Sequence, residues 1–341
     1  MPEPGTKRVV RLGVVGCADI AVRRILPAVV QHDSLRLVAV ASRSAEKAER
    51  FAARFGCAAV VGYRELLERT DIDAVYLPLP PGLRYHWATE ALNAGKHVLA
   101  EKPLCTSYDE TRELTRLARR RKLVLAENFM FLHHSQHLAV RSLIEDGAIG
   151  EVQVFASSFG VPPLDPGSYR YRPELGGGAL LDLGVYPVRA AQLYLSPHLE
   201  VLGATLRVDP MRGVDVAGSA LLCRPDGVAV QLAFGFQHSY RSSYAIWGTR
   251  GRISLARAFT PPAQYRPVVR LEQQDRLTEI TLPADDQVGN AVGAFADAVL
   301  SGADRRTADE ESLAQARLVE EVRKVARTRY GSGGSEATDQ G

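Results

Sequence analysis

The sequence predicts two domains in series: a doubly wound parallel α/β sheet, then an α+β domain built on a large, mostly antiparallel open sheet. Three observations predict this. Through residue 127, strand-like apolar runs alternate with segments of helical spacing, the pattern of repeated βα units that bury a parallel sheet on both faces. From Glu151 onward, strand-like segments follow one another without crossover helices, which is the pattern of an antiparallel sheet. At 341 residues the chain is also longer than the roughly 250–300 residues at which a single core stops growing. The expected boundaries are 1–127 for the first domain, 128–330 for the second, and 331–341 for a small polar tail, "GSGGSEATDQG".

In the first domain "RVVRLGVVG" (Arg8–Gly16) is a β-branched strand ending in glycine. "IAVRRILPAVVQH" follows at helical spacing, with Pro27 placed to kink or stop it. Next come "LRLVAVAS" as strand, "SAEKAERFAARFG" as helix, and "AAVVGYRELLER" as a short strand and helix. "DIDAVYLPLP" is a strand ending at Leu79-Pro80, and "GLRYHWATEALNAG" a helix closed by Gly95. "GKHVLAEKPL", "YDETRELTRLARRR" and "KLVLAENF" complete the series as strand, helix and strand. The second domain offers eight strands: "EVQVFASSFG", "LEVLGATLRVD", "VAGSALLCR", "GVAVQLAFGFQ", "SSYAIWG", "GRISLARAF", "PVVRLEQQ" and "LTEITLP". "RPDG" and "GTRG" read as tight turns, and helices are expected at "GGGALLDLGVYPVRAAQLYL", "VGNAVGAFADAVLSG" and "DEESLAQARLVEEVRKVAR". Several of these strands are apolar on both faces, so one face is expected against helices and the other against a second subunit.

Composition narrows the function. Hydrophobic residues make up 46%, charged residues 24%, and the formal net charge is +3, which gives no basis for nucleic acid or a membrane surface as partner. The most basic run, "RLARRRKL" (Arg116–Leu123), ends a helix, where cations suit the dipole. Cys17, Cys57, Cys105 and Cys223 are scattered, so neither a metal site nor a redox pair is expected. With no leader-like segment and no long apolar run, the expected location is the reducing cytoplasm.

Two places carry candidate chemistry in the first domain. Gly13, Gly16 and Ala18 fit a relaxed G-x-x-G-x-A at the first βα turn, where Cys17, Asp19 and Ile20 open the helix toward a dinucleotide pyrophosphate. The second strand ends in Ser42-Arg43, with no acid for a ribose 2′-hydroxyl. A hydroxyl and a guanidinium suit a 2′-phosphate, so the expected cofactor is NADP(H). Lys102 stands where the strand Val98-Leu99-Ala100 ends, beside Glu101 and Pro103. An isolated lysine there reads as surface. His86, Glu127 and Asn128 lie near other strand ends. In the second domain Gly176, Gly177 and Gly178 precede a helix that puts Asp182 and Tyr186 four residues apart on one face. Arg170 and Arg172, with Tyr169 and Tyr171, stand just before it, a set able to meet a diphosphate and a base.

Taken together, "GVVGCADIA", "AGKHVLAEKPL", "ENFMF" with "HHSQH", "GAIGEV" and "GGGALLDLGVYPVRA" resemble the glucose–fructose oxidoreductase and myo-inositol dehydrogenase family (Gfo/Idh/MocA) over nearly the whole chain. The resemblance implies a Rossmann domain followed by an open antiparallel sheet, and an E-K-P lysine, here Lys102, at the nicotinamide and substrate, with a cis peptide at Pro103. It places Leu79, Pro80, His86, Glu101, Lys102 and Asn128 at the cofactor, and Lys102, Asp182, Tyr186, Arg170 and Tyr171 at the substrate. Many members carry D-x-x-x-H where this chain has Asp182-Leu-Gly-Val-Tyr186. Tyrosine is a poor base but a serviceable acid, and the tyrosine form is similar to the nucleotide-sugar ketoreductases that reduce a C3 ketone in deoxysugar pathways. The implied function is NADPH-dependent reduction of a dTDP-linked keto-deoxysugar for a glycosylated natural product such as an antibiotic, by a homo-oligomer (dimer or tetramer) assembled through the second sheet. The alternatives are an NAD(P)-dependent dehydrogenase of a free sugar or polyol, and a cofactor-binding regulator without chemistry.

Overall fold

The computed structural model describes residues 8–302 and 305–330. In chain order its elements are β1 (Val10–Val15), α1 (Leu26–Gln31), β2 (Leu35–Ser42), α2 (Ala45–Phe55), β3 (Ala58–Val61), α3 (Tyr63–Leu67), β4 (Ala74–Leu77), α4 (Pro81–Asn93), β5 (His97–Glu101), α5 (Tyr108–Arg121), β6 (Leu125–Asn128) and α6 (Ser135–Glu145). There follow β7 (Val152–Gly160), α7 (Val185–Tyr194), β8 (Glu200–Asp209), β9 (Val214–Cys223), β10 (Ala229–Gly235), β11 (Arg241–Gly248), β12 (Arg252–Ala256), β13 (Val268–Gln273), β14 (Arg276–Thr281), α8 (Gln287–Ser301), α9 (Arg306–Val325) and β15 (Ala326–Tyr330). The described residues form two compact units: 8–139 with Pro261–Arg266, 283–302 and 305–316, and Val140–Thr260 with Pro267–Leu282 and 317–330.

The first unit holds a six-stranded sheet in the order β3-β2-β1-β4-β5-β6, parallel at every pairing. All four residues of β4 are buried, as expected of a strand covered on both faces. One face packs Val14, Val40 and Tyr76; the other packs Val15, Val75, Leu77 and Leu92. Strand order reverses between β1 and β4, so the crevice at their carboxyl ends is where a doubly wound sheet binds ligand. The expected helix at 20–32 is present and does not stop at Pro27: a π-helical turn, Ala21–Ile25, runs directly into α1, so the proline lies inside a continuous helical run, where its missing N–H removes one intrahelical donor.

A single cut after residue 127 does not separate the units. Helix α8, expected in the second domain, sends Val288, Val292 and Phe295 into the same core cluster as Val10, Leu12 and Leu26, and the chain up to Ala139 also belongs to the first unit. The tail expected at 331–341 lies outside the described residues.

The second unit contains a nine-stranded sheet, β14-β13-β12-β11-β7-β10-β9-β8-β15. All eight expected strands are there, and the pairings are antiparallel except β10 with β7 and β15 with β8. The ninth strand, β15, replaces the end of the expected last helix, since Ala326–Tyr330 pairs with the edge of β8. The helix expected from Gly176 starts later. Leu180–Gly184 form a π-helical turn that runs into α7, and eight residues of α7 from Val185 to Gln192 are buried.

Candidate active-site residues in the two units

The cofactor half is assembled at the carboxyl ends of β1, β2 and β4. Gly16 follows β1 with φ +110° and donates its amide to the Ala41 carbonyl at 3.0 Å. A Cβ there would lie 2.8 Å from the Leu79 side chain and 3.5 Å from the Tyr63 hydroxyl, so both conformation and space require glycine. The Ala18 carbonyl accepts from the amides of Ala21 and Val22, closing the turn. Ile20 stands at the N-terminus of the helical run, and the exposed Asp19 pairs with Arg23. The Cys17 thiol points toward the Ala41 and Lys47 carbonyls; burial pushes it up, and pushes Cys57 up to about 11, so both are neutral thiols at pH 7. Gly13 lies within β1, not in the turn. Its Cβ would strike Leu66 at 2.8 Å and Ile72 at 2.9 Å, so it serves helix packing.

At the tip of β2, the buried Ser42 accepts from the Ser44 amide at 3.1 Å, and Ser44 caps α2. Arg43 is exposed and near enough to Tyr63 to favour that residue's phenolate, although burial dominates and raises the Tyr63 pKa. Tyr63, absent from the sequence expectations, thus joins the glycine turn to Arg43. Its ring meets Trp87 edge-on at 4.9 Å, and Trp87 meets the exposed His86 at 4.8 Å. Leu79 is buried, and Pro80 precedes the first residue of α4.

The turn after β5 is anchored on every side of Lys102. Glu101 is buried, and its Oε1 accepts from the Tyr76 hydroxyl and from Asn128 Nδ2, each at 2.8 Å. The donors lie in β4 and just at the end of β6, the two neighbours of β5. Burial, then the Glu101 carboxylate, holds the Tyr76 hydroxyl well above its ordinary range, so it stays a donor. Glu101 and Asn128, expected at the cofactor, direct their side chains at each other inside the sheet. The Lys102-Pro103 peptide is cis. Pro103 gives its carbonyl to Arg84 Nη1, and Leu104 gives its amide to Glu127 Oε1 at 2.8 Å. Lys102 itself is half-buried.

In the second unit, Arg170 Nε donates to Asp182 Oδ2 at 2.6 Å, with its guanidinium 4.8 Å from the Tyr169 ring centre. Desolvation opposes the Arg170 charge, but Asp182 first, then Tyr169 and Tyr186, more than offset it and raise its pKa. Arg170, Asp182 and Tyr186 are therefore one electrostatic cluster. The Tyr186 ring is 7% exposed and meets Phe159 edge-on at 5.0 Å and Phe259 at 5.4 Å. Tyr171, expected to meet substrate, is buried, with Arg212 at 4.2 Å over its ring and Phe236 at 5.9 Å. Arg172 pairs with Glu174 at the surface. At two of the three glycines the space a side chain would need is taken by the protein's own atoms. A Cβ at Gly177 would lie 2.6 Å from the Arg170 carbonyl, and one at Gly178 would lie 2.3 Å from Asp215 Oδ1. Asp215, also unforeseen, accepts from the Leu180 amide at 2.6 Å and so caps the π-helical turn; burial raises its pKa. Its long-range origin in β9 left no local signal.

Among the described residues, no group of three or more His, Cys, Asp or Glu is arranged to hold a metal, and no helix is long and apolar enough to cross a membrane.

Comparison with known proteins matches these two halves to two family models. Residues 10–129 match the oxidoreductase family with an NAD-binding Rossmann fold, and residues 137–254 match the GFO/IDH/MocA C-terminal domain. The chain is 51% identical over 330 residues to the dTDP-3,4-didehydro-2,6-dideoxy-alpha-D-glucose 3-reductase of Actinomadura kijaniata, covering 97% of this chain and 99% of that one. It is 52% identical to the reductase of the same name from Streptomyces violaceoruber, covering 94% and 96%. A crystal structure of the A. kijaniata 3-ketoreductase with NADP and TDP-benzene superposes with a TM-score of 0.94 over 95% of this chain and 100% of that one, at 51% identity. That enzyme has also been solved as Y186F and K102A variants, both with TDP-benzene and NADP. With both domain models matched in order and half the residues shared with full-length relatives, the chain belongs to the Gfo/Idh/MocA family of oxidoreductases.

Proposed function

We propose that this oxidoreductase uses NADPH to reduce the C3 ketone of a dTDP-linked keto-deoxyhexose, in the making of a deoxysugar for a glycosylated natural product. The observation that carries the reading is Tyr186, packed against Phe159 and Phe259 four residues after Asp182, whose carboxylate holds Arg170 at 2.6 Å. A neutral phenol is an acid at pH 7, not a base, which suits protonation of a nascent alkoxide. The A. kijaniata ketoreductase, studied as Y186F and K102A, carries tyrosine and lysine at the same two numbers.

The residues fit the cofactor. Gly16, held at φ +110° against Leu79, leaves backbone open for a pyrophosphate, and Ser42 with Arg43 suits a 2′-phosphate. When bound, NADPH supplies the hydride that adds to the carbonyl carbon. Lys102 stabilises the negative charge that develops on the carbonyl oxygen. Tyr186 gives that oxygen its proton, leaving a phenolate that the guanidinium of Arg170 favours. Asp182 fixes Arg170 through the 2.6 Å ion pair. With its Nε committed in this way, Arg170 faces a substrate diphosphate only through its remaining N–H groups, and Tyr169, half-buried, is the aromatic of that loop better placed to meet the base.

We further infer a cytoplasmic enzyme, where NADPH and nucleotide sugars are made, and a homo-oligomer formed through the second sheet. Leu202 and Leu221 on β8 and β9 are 55% and 44% exposed and line the same surface depression, an apolar surface that a second copy would cover. The test of the reaction is a pair of scans: NADPH oxidation with dTDP-keto-sugars, and NAD(P)+ reduction with free sugars and polyols. Activity only in the second scan would make the chain a dehydrogenase, and tight cofactor binding with no turnover in either would make it a regulator.

A further inference from the structure

Arg84 sits in α4 and is 3% exposed. A buried guanidinium is costly unless its N–H groups are paired. Its Nε donates to the Leu79 carbonyl at 2.7 Å, and its Nη1 donates to the Pro103 carbonyl. These carbonyls belong to two separate loops at the carboxyl ends of β4 and β5. The side chain of Leu79 is the one that bars a Cβ at Gly16 in the dinucleotide turn, and Pro103 follows Lys102 directly. The other anchors of the lysine turn, Glu101 to Tyr76 and Asn128, and Glu127 to the Leu104 amide, bind it to neighbouring strands. Arg84 alone among these anchors also reaches the loop that packs on the cofactor turn.

We propose that Arg84 is a positioning residue that locks the Leu79 loop to the Lys102-Pro103 turn, so that the cofactor-binding glycine turn and the lysine are held in one register. The proposal rests on the assignment of Gly16 to the cofactor and of Lys102 to the reacting carbonyl. The planar fork meets the two carbonyls with two separate nitrogens, Nε and Nη1, at fixed spacing. A lysine would have to meet both from one nitrogen at the end of a flexible stem, as Lys96 Nζ does with the Arg69 and Ile72 carbonyls, and so holds the loops less rigidly. A misplacement of about 1 Å at a reacting group costs roughly a hundredfold in rate, so a loosened lock is visible kinetically.

The test compares Arg84→Lys, Arg84→Gln and Lys102→Ala with the wild-type chain by NADPH titration, turnover of a dTDP-keto-sugar, and amide exchange over residues 101–105. Arg84→Lys is expected to weaken NADPH binding about tenfold, lower kcat by tenfold to a hundredfold, and speed exchange at the Leu104 amide while the strands of the sheet keep wild-type protection. Lys102→Ala is expected to lower kcat alone. Added guanidinium ion, at concentrations where sodium chloride has no effect, is expected to restore NADPH affinity to Arg84→Gln. Wild-type NADPH binding and wild-type exchange at Leu104 in Arg84→Lys would overturn the proposal, as would faster exchange spread evenly over the whole sheet, which is loss of stability only. Failure of the wild-type chain to turn over any keto-sugar would count against the reaction, and leaves the binding and exchange results to decide on Arg84.

Discussion

Lys102 and Tyr186 carry the proposed chemistry, and their settings differ in a way that mutation can read. The Lys102 backbone is pinned by its neighbours, so removing the side chain should leave the turn intact; Tyr186 is packed between Phe159 and Phe259, so phenylalanine should keep the packing. Lys102→Ala and Tyr186→Phe are each expected to bind NADPH as the wild type does and to lose on the order of a hundredfold or more in kcat. Full activity in both would remove the mechanism. Arg43 tests the cofactor. It is exposed at the tip of β2, where a contact to a 2′-phosphate is partly screened. Arg43→Ala is expected to raise KM for NADPH by about tenfold or more, corresponding to roughly 1.5–3 kcal/mol for a charge-assisted contact, and to leave KM for NADH nearly unchanged. An equal rise for both cofactors would make Arg43 structural.

At the scale of elements, β5 and β6 are joined through a histidine whose protonation opposes folding. His97 Nδ1 accepts from the Val124 amide at 2.9 Å, and burial lowers its pKa from the ordinary 6.5; burial likewise lowers His133 and His134. Well above pH 6.5 all three are neutral in both states, and their contribution to stability is complete. Below it the unfolded chain takes up protons that the folded chain refuses until its lower pKa is reached, so stability falls with pH in that window. Urea unfolding is expected to show a lower midpoint at pH 5.5 than at pH 7.5, the three histidines together outweighing the buried Asp215, whose raised pKa acts in the opposite direction. An unchanged or higher midpoint at pH 5.5 would contradict this. The elements themselves were largely legible, because burial on both faces gives β4 an unbroken apolar run and amphipathic α2 and α5 carry helical spacing with serine caps. What was not legible depended on partners far along the chain. Ala326–Tyr330 is a strand only because β8 offers it an edge. Gly177 and Gly178 suggested a ligand, yet the atoms they admit belong to Arg170, Arg172 and Asp215. Lys102, Asp182 and Tyr186 could be picked out by motif, whereas Arg84 and Tyr63 lie in ordinary helical sequence and are given meaning only by the loops they touch.

For the whole molecule, two proposals remain to be separated: that the second sheet joins copies of the chain, and that the chain reduces a nucleotide-linked ketone. The first predicts that Leu221→Asp, placed on the exposed side of β9, shifts the protein to smaller species in sedimentation without unfolding it; an unchanged mass would place the interface elsewhere. The second is tested most directly by following the hydride. The wild-type chain is supplied with NADPH deuterated at the nicotinamide C4 position and with a dTDP-3-keto-deoxyhexose, and the sugar product is read by NMR and mass spectrometry. Consumption of NADPH, a new hydroxyl at C3, and one deuterium on that carbon when the label is on the transferred face are expected. Deuterium at another carbon, or no reduction of the keto-sugar alongside oxidation of a free sugar with NAD(P)+, would contradict the proposal.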